Sequence, residues 1–115
     1  MSDQKKFELI AIGIYDRIFS ENPEEKVSDC DAYELVGNLD QQKVRLALEK
    51  SLDFRVVYVF GIFARDLDII KIGCRKILNI DNADIGAFYT KLIDFVPWTD
   101  QITDELSAIL QALKN

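Results

Sequence analysis

The fold class of this chain depends on residues 54–63, FRVVYVFGIF. Their β-branched and aromatic side chains favour a strand by local propensity. Two observations argue against a strand: polar and apolar residues do not alternate, and the residues that follow, 65–68, lack the glycine or asparagine of a tight hairpin turn. A central helix enclosed by other helices can be apolar all round. We therefore predict a helix here, with a hairpin over 54–73 as the alternative.

The N-terminal segment predicts a first helix, because its apolar residues recur at steps of three and four. Further apolar residues widen the resulting face, so we predict a helix that is buried over more than half of its circumference. The main face comprises Phe7, Ile10, Ala11, Ile14 and Ile18, and the residues that widen it are Leu9, Ile12, Tyr15 and Phe19.

Capping residues predict where the next helices begin and end. Ser28 and Asp40 each precede a helical pattern and can accept hydrogen bonds from free backbone N–H groups. Gly37-Asn38 provides a stop between these two helices. Before them, Asn22-Pro23-Glu24-Glu25 either starts a short helical turn or orders a loop. The helix after Asp40 carries the apolar stripe Val44, Ala47 and Leu48, which Leu52 extends.

The C-terminal half continues the helical pattern. One helix is predicted from Leu67, Ile70, Cys74, Ile77 and Leu78. The next has Asp81 as its N-cap and ends at Pro97, because the residue before a proline is displaced from helical geometry. Thr99 or Asp100 starts the last helix. We predict one all-α domain over residues 1–115, a compact bundle of about six short helices with brief connections.

Four glycines lie inside predicted helices, where each costs about 1 kcal/mol relative to alanine. The residues that follow them show no common register, so they do not mark an internal repeat. We predict that they permit close approach between helices. They are Gly13, Gly61, Gly73 and Gly86.

The chain lacks the residues of several catalytic machineries. It has no histidine, which excludes Ser-His-Asp and Cys-His nucleophile systems. Two cysteines cannot fill a four-ligand zinc site, and no glycine-rich phosphate-binding motif occurs. Cys30 and Cys74 stand among apolar neighbours, so we predict buried free thiols. We expect no enzyme, no cofactor and no metal site; an enzyme that uses only carboxylates and a metal is an alternative.

Charge constrains the choice of partner. The formal net charge is −6, which disfavours nucleic acid and anionic membrane surfaces. The charge is uneven, with balances of −5 over residues 1–37, +3 over 38–80 and −4 over 81–115. This pattern fits either ordinary solvated helix faces or an acidic face that meets a basic partner.

Two further observations bear on location. The longest apolar stretch without a charge, residues 56–64, is too short to span a bilayer. The N-terminal segment carries charges inside its apolar run and has no small-residue cleavage site. We expect a cytoplasmic protein.

Three sets of residues are candidates for binding. Trp98, the only tryptophan, either packs over the last helix or serves as a partly exposed anchor. A basic patch is either ordinarily solvated or docks a phosphate or an acidic peptide; it comprises Arg65, Lys71, Arg75 and Lys76. The densest acidic cluster predicts the contacts with a basic partner, and it comprises Glu21, Glu24, Glu25, Asp29, Asp31 and Glu34.

These properties favour a non-enzymatic protein-binding module for a basic partner protein. Inhibitors, immunity or antitoxin-type neutralisers and dedicated chaperones are the classes that such a small, acidic, helical domain suits. The alternative is a structural subunit, a homodimer, because the first helix and residues 54–63 carry more apolar surface than a small monomer must bury. No motif is specific enough to indicate a family.

Overall fold

Residues 54–63 are helical, and the hairpin alternative over 54–73 is wrong. The computed structural model describes residues 2–80, 84–95 and 104–114, and within these ranges the chain forms seven α-helices and no strand. The all-α bundle is confirmed, with seven helices rather than about six. In chain order they are α1 (Asp3–Ile18), α2 (Asp29–Gly37), α3 (Gln41–Lys50), α4 (Phe54–Ile62), α5 (Leu67–Ile77), α6 (Ile85–Phe95) and α7 (Asp104–Lys114).

Helix α4 is the centre of the hydrophobic core. All residues from 56 to 64 are buried, and α4 packs against α1, α3, α5 and α6. Beyond its first turn no face of α4 meets water, which explains why its sequence lacks polar alternation. Its β-branched residues disfavour a helix locally, and tertiary packing overrides that preference. None of the described helices is long and apolar enough to cross a membrane.

Asp53 caps α4, a role that the sequence pattern did not indicate. Its Oδ1 accepts a hydrogen bond from the Arg55 backbone N–H at 2.9 Å, and the Arg55 guanidinium donates to both carboxylate oxygens at 3.1 and 2.9 Å. These hydrogen bonds stabilise the charged carboxylate, so they lower the pKa of Asp53. The first turn of α4 is therefore held by a partly exposed ion pair.

Most predicted helix boundaries are confirmed. Ser28 Oγ accepts a hydrogen bond from the Asp31 N–H at 3.1 Å. Asp40 Oδ1 accepts hydrogen bonds from the N–H groups of Gln42 and Lys43 in the first turn of α3. Helix α6 begins at Ile85, and Asp84 Oδ1 accepts a hydrogen bond from the backbone N–H of Ala87 in its first turn. The predicted cap Asp81, the stop at Pro97 and the starts at Thr99 or Asp100 lie outside the described residues.

Helices α4 and α5 cross where two glycines meet. A Cβ on Gly73 would lie 2.6 Å from the Gly61 Cα, and a Cβ on Gly61 would lie 3.1 Å from the Gly73 Cα. The predicted close approach is confirmed at these two positions. It is wrong at Gly13, where a Cβ would have nothing within 4 Å, and at Gly86, where it would meet only the Asp84 side chain at 3.6 Å.

Several residues predicted in the core lie at the surface. Helix α1 packs against α2, α3 and α4, which bury one stripe of it fully and cover the neighbouring residues only in part. Leu9 and Phe19 are therefore 45% and 51% exposed. Leu52 is 82% exposed, because α3 ends at Lys50 and does not carry the apolar stripe as far as residue 52. Cys74 is a buried free thiol, but Cys30 is exposed, since it lies opposite the buried face of α2.

Gly13→Ala is expected to stabilise the protein. Position 13 is an exposed helix interior with open space where the Cβ would go. Alanine restricts the unfolded chain and favours the helix, so the free energy of unfolding should rise by about 0.5–1 kcal/mol. Urea denaturation monitored by circular dichroism measures the change, and a lower midpoint than wild type would contradict it.

Candidate partner-binding surface

The acidic loop, defined as residues 20–28, is ordered by its own hydrogen bonds. Asn22 Oδ1 accepts from the Glu24 N–H at 3.1 Å, and the Asn22 carbonyl accepts from the Glu25 N–H at 3.0 Å. The Val27 N–H donates to the Arg17 carbonyl at 3.0 Å, which draws the loop back onto the end of α1. The loop forms turns rather than a helix, and its glutamates project from a fixed backbone.

The six carboxylates predicted as a binding cluster separate into two groups. Asp29 and Glu34 serve the fold: Asp29 accepts from Lys91 Nζ at 3.0 and 3.2 Å, and Glu34 pairs with Arg65 at 3.8 Å. The other four are exposed, and their side chains take part in no ion pair among the described residues; they are Glu21, Glu24, Glu25 and Asp31. The acidic loop therefore presents three carboxylates whose charge is not neutralised by the fold, with Asp31 following in the first turn of α2.

A groove of about 330 Å³ opens beside the acidic loop. Ile18, Phe19 and Val27 line it with apolar surface, and the charged side chains that line it are Lys26, Asp29 and Lys91. It therefore combines apolar surface with both signs of charge. This combination suits a protein side chain better than a fully apolar ligand.

Phe19 is the aromatic residue of this surface. Its ring centroid lies 4.8 Å from that of Tyr15 and 5.6 Å from that of Tyr58, so the ring is held in place although half of it is exposed. Sequence reasoning assigned Phe19 to the core. Its position at the C-terminal end of the apolar pattern, next to a charged loop, could have indicated that it lies at the surface. Trp98, the anchor predicted from sequence, lies outside the described residues.

The predicted basic patch is not a free cationic surface. Lys71 and Arg75, four residues apart on α5, both pair with Glu105 of α7, and Lys71 Nζ lies 3.5 Å from its carboxylate. The Lys71 side chain is only 15% exposed. These cations fasten α5 to α7, so an external phosphate would have to displace Glu105.

The other two cations of the patch also have partners within the chain. The Arg65 guanidinium lies 5.1 Å from the centroid of the Tyr33 ring and pairs with Glu34. Lys76 Nζ donates a hydrogen bond to the Glu49 carbonyl at 2.6 Å. The positive surplus of the middle segment is thus largely used in intramolecular contacts, in contrast to the free carboxylates of the acidic loop.

The titratable groups with the largest pKa shifts lie in the core rather than at this surface. Burial raises the pKa of the Cys74 thiol to about 12 and also raises the pKa of the Tyr58 hydroxyl. Among residues 2–80, 84–95 and 104–114, no three cysteine, aspartate or glutamate side chains lie close enough to hold a metal ion. No family model, curated protein or solved structure matches this chain. Function is therefore inferred from the surface alone.

Proposed function

We propose that this chain is a non-enzymatic protein-binding module whose partner is a basic protein. The observation that carries the proposal is the unequal use of charge. Glu21, Glu24, Glu25 and Asp31 remain exposed and unpaired among the described residues, whereas the four cations of the basic patch contact groups within the chain. An inhibitor, an immunity or antitoxin-type neutraliser, or a dedicated chaperone would use such a surface.

Both charge and apolar contact contribute to binding at this surface. Unpaired carboxylates attract a basic protein over about 8 Å at physiological salt, which accelerates encounter. Phe19 then supplies apolar area from a ring that the neighbouring tyrosines already hold, so little conformational entropy is lost. Lys26 adds positive charge to the groove, whereas Lys91 is paired there with Asp29, and this mixture of signs favours one orientation of the partner.

A second candidate function is that of a subunit that assembles with copies of itself. Leu9 and Leu52 favour it, because both are large apolar residues that are 45% and 82% exposed. Isolated exposed apolar residues are common on monomers, whereas several on one face indicate contact with another molecule.

Glu24→Lys is expected to weaken capture of the basic partner about twofold to thirtyfold, since reversal replaces an exposed charge contact of about 0.2–1 kcal/mol by a repulsion of similar size. Affinity purification from the native host, quantified by mass spectrometry, measures capture by wild type and variant. Adding Glu25→Lys should weaken capture further, and raising salt from about 50 to 300 mM should weaken wild-type capture in the same way.

Asp94→Lys is the matched control, because it also changes the net charge by +2 at an exposed α6 residue with no ion pair among the described residues. It should leave capture unchanged. Equal weakening by both variants would show that only net charge matters. Wild-type capture that does not change with salt concentration would contradict a role for the acidic loop. Thermal melting checks that each variant remains folded.

A further inference from the structure

The outer face of α1 carries four residues in a regular stripe. Lys5, Leu9, Ile12 and Asp16 follow one another at steps of four, three and four, so they lie on one side of the helix. This side is opposite to the stripe that α1 buries in the bundle. Lys5, Leu9 and Asp16 are exposed, and Ile12 is partly buried.

The two ends of this α1 stripe carry opposite charges. Neither Lys5 nor Asp16 takes part in an ion pair in the described part of the structure. Lys5 acts at longer range on the Asp53 carboxylate and Asp16 on the Arg55 guanidinium, but Asp53 and Arg55 already pair with each other. The α1 stripe therefore ends in one cation and one anion without an ion pair among the described residues, with apolar side chains between them.

The order of residues in the α1 stripe is complementary to itself. When a second α1 lies antiparallel across the first, with a twofold axis midway between Leu9 and Ile12, each Lys5 faces the Asp16 of the other copy. Leu9 of one copy then faces Ile12 of the other, twice. A parallel arrangement would instead place Lys5 against Lys5 and Asp16 against Asp16.

We propose that the α1 stripe is a homodimer interface, occupied by a second copy of this chain in antiparallel orientation. The proposal rests on the second candidate function and names the surface through which the chain would assemble with itself. It does not depend on partner binding at the acidic loop. Charge complementarity carries it, since both ends of the stripe gain a partner in one symmetric contact.

Leu52 belongs to a segment that runs beside α1. Ser51 Oγ donates to Glu8 Oε2 at 2.9 Å, and the Phe54 ring lies 6.1 Å from the Tyr15 ring. Residues 51–54 therefore run alongside the middle of α1. Leu52, the most exposed of the large apolar residues in the described ranges, lies in this segment, so a second copy on the stripe would approach it.

Charge reversal tests the pairing directly. Lys5→Glu replaces both attractive contacts of the dimer with repulsive ones, and Asp16→Lys does the same with the opposite sign. Each variant alone should raise the dimer Kd roughly tenfold to a hundredfold, since two exposed pairs change from attraction to repulsion. Neither change weakens α1 itself: a carboxylate in the first turn and an ammonium in the last turn both favour the helix dipole.

The combined variants discriminate between this interface and any other. The double variant Lys5→Glu with Asp16→Lys restores opposite charges across the twofold axis, so it should dimerise as wild type does. An equimolar mixture of the two single variants should form a heterodimer, because every contact then joins opposite charges. Sedimentation equilibrium detects each dimer as a mass twice the 13.2 kDa of one chain.

Two matched variants serve as controls. Lys6→Glu makes the same change one residue along, about 100° around the helix, and should leave the dimer Kd unchanged. Glu24→Lys alters the acidic loop and should also leave it unchanged, so failure of this proposal is distinguishable from failure of partner binding. A wild-type chain that stays monomeric up to about 1 mM would overturn the proposal. A dimer that Lys5→Glu weakens no more than Lys6→Glu would overturn it as well.

Discussion

Gly73→Ala is expected to lower the free energy of unfolding by roughly 2–3 kcal/mol. The added Cβ would lie 2.6 Å from the Gly61 Cα, which is too close for two carbon atoms that are not linked by bonds, so α4 and α5 would have to move apart. Backbone cannot rotate away as a long side chain can. Separation of the two helices would disturb packing throughout the core, because α4 contacts most of the bundle. Urea denaturation at neutral pH measures the loss.

The same chemical change at other glycines isolates the steric cause. Gly61→Ala meets the Gly73 Cα at 3.1 Å and the Phe88 ring at 3.5 Å, so it should destabilise by less than Gly73→Ala. Gly13→Ala should stabilise. All three variants gain the same helix propensity, about 1 kcal/mol, so their order reports crowding alone. A Gly73→Ala protein as stable as wild type would show that the helices do not meet at this crossing.

Raising the pH from 9 to 12 is expected to destabilise the protein by about 3 kcal/mol through Cys74 alone. The thiol has a pKa of 9.0 when solvated, and burial raises it to about 12 in the folded protein. Between these values the unfolded chain loses the thiol proton and the folded chain keeps it. The contribution of the thiol to stability is therefore fully present well below pH 9 and falls by at most about 1.4 kcal/mol per pH unit between pH 9 and pH 12.

Cys74→Ala separates this effect from other alkaline changes. Alanine has no proton to lose, so the variant should lose less stability between pH 9 and pH 12 than wild type, although removing the sulfur lowers its stability at neutral pH. Tyr58 acts in the same direction, because burial raises the pKa of its hydroxyl, and its contribution remains in the variant. Urea midpoints at several pH values measure the difference. Parallel pH profiles for the two proteins would contradict the assignment to Cys74.

Much of the fold follows from local sequence patterns. Ser28 and Asp40 were identifiable as caps because the chemistry of a cap involves only its next three residues. Helix α4 was identifiable because its apolar run lacks alternation. The burial of α1 was overestimated, since periodicity shows which residues share a face but not how many neighbours cover that face. Leu9 and Phe19 fit the pattern as well as Phe7 does, and only the position of α1 in the bundle separates them.

The candidate site was predictable in composition but not in detail. The acidic character of the segment around Glu24 is evident from sequence. Which carboxylates remain free depends on contacts between distant residues, such as Lys91 with Asp29, and no local pattern indicates those contacts. The same limit applies to the basic patch, because Glu105 comes from a different helix. Phe19 was missed because a core interpretation fitted its spacing.

Because α4 is enclosed by other helices, it can be stable in water only when those helices are folded around it. A chain segment containing α4 without α1 or α5 would expose Val and Phe side chains that have no polar face to offer water. Such fragments should associate with one another rather than remain dispersed. The helices around α4 should therefore unfold together with it, and the described helices should melt in a single cooperative step.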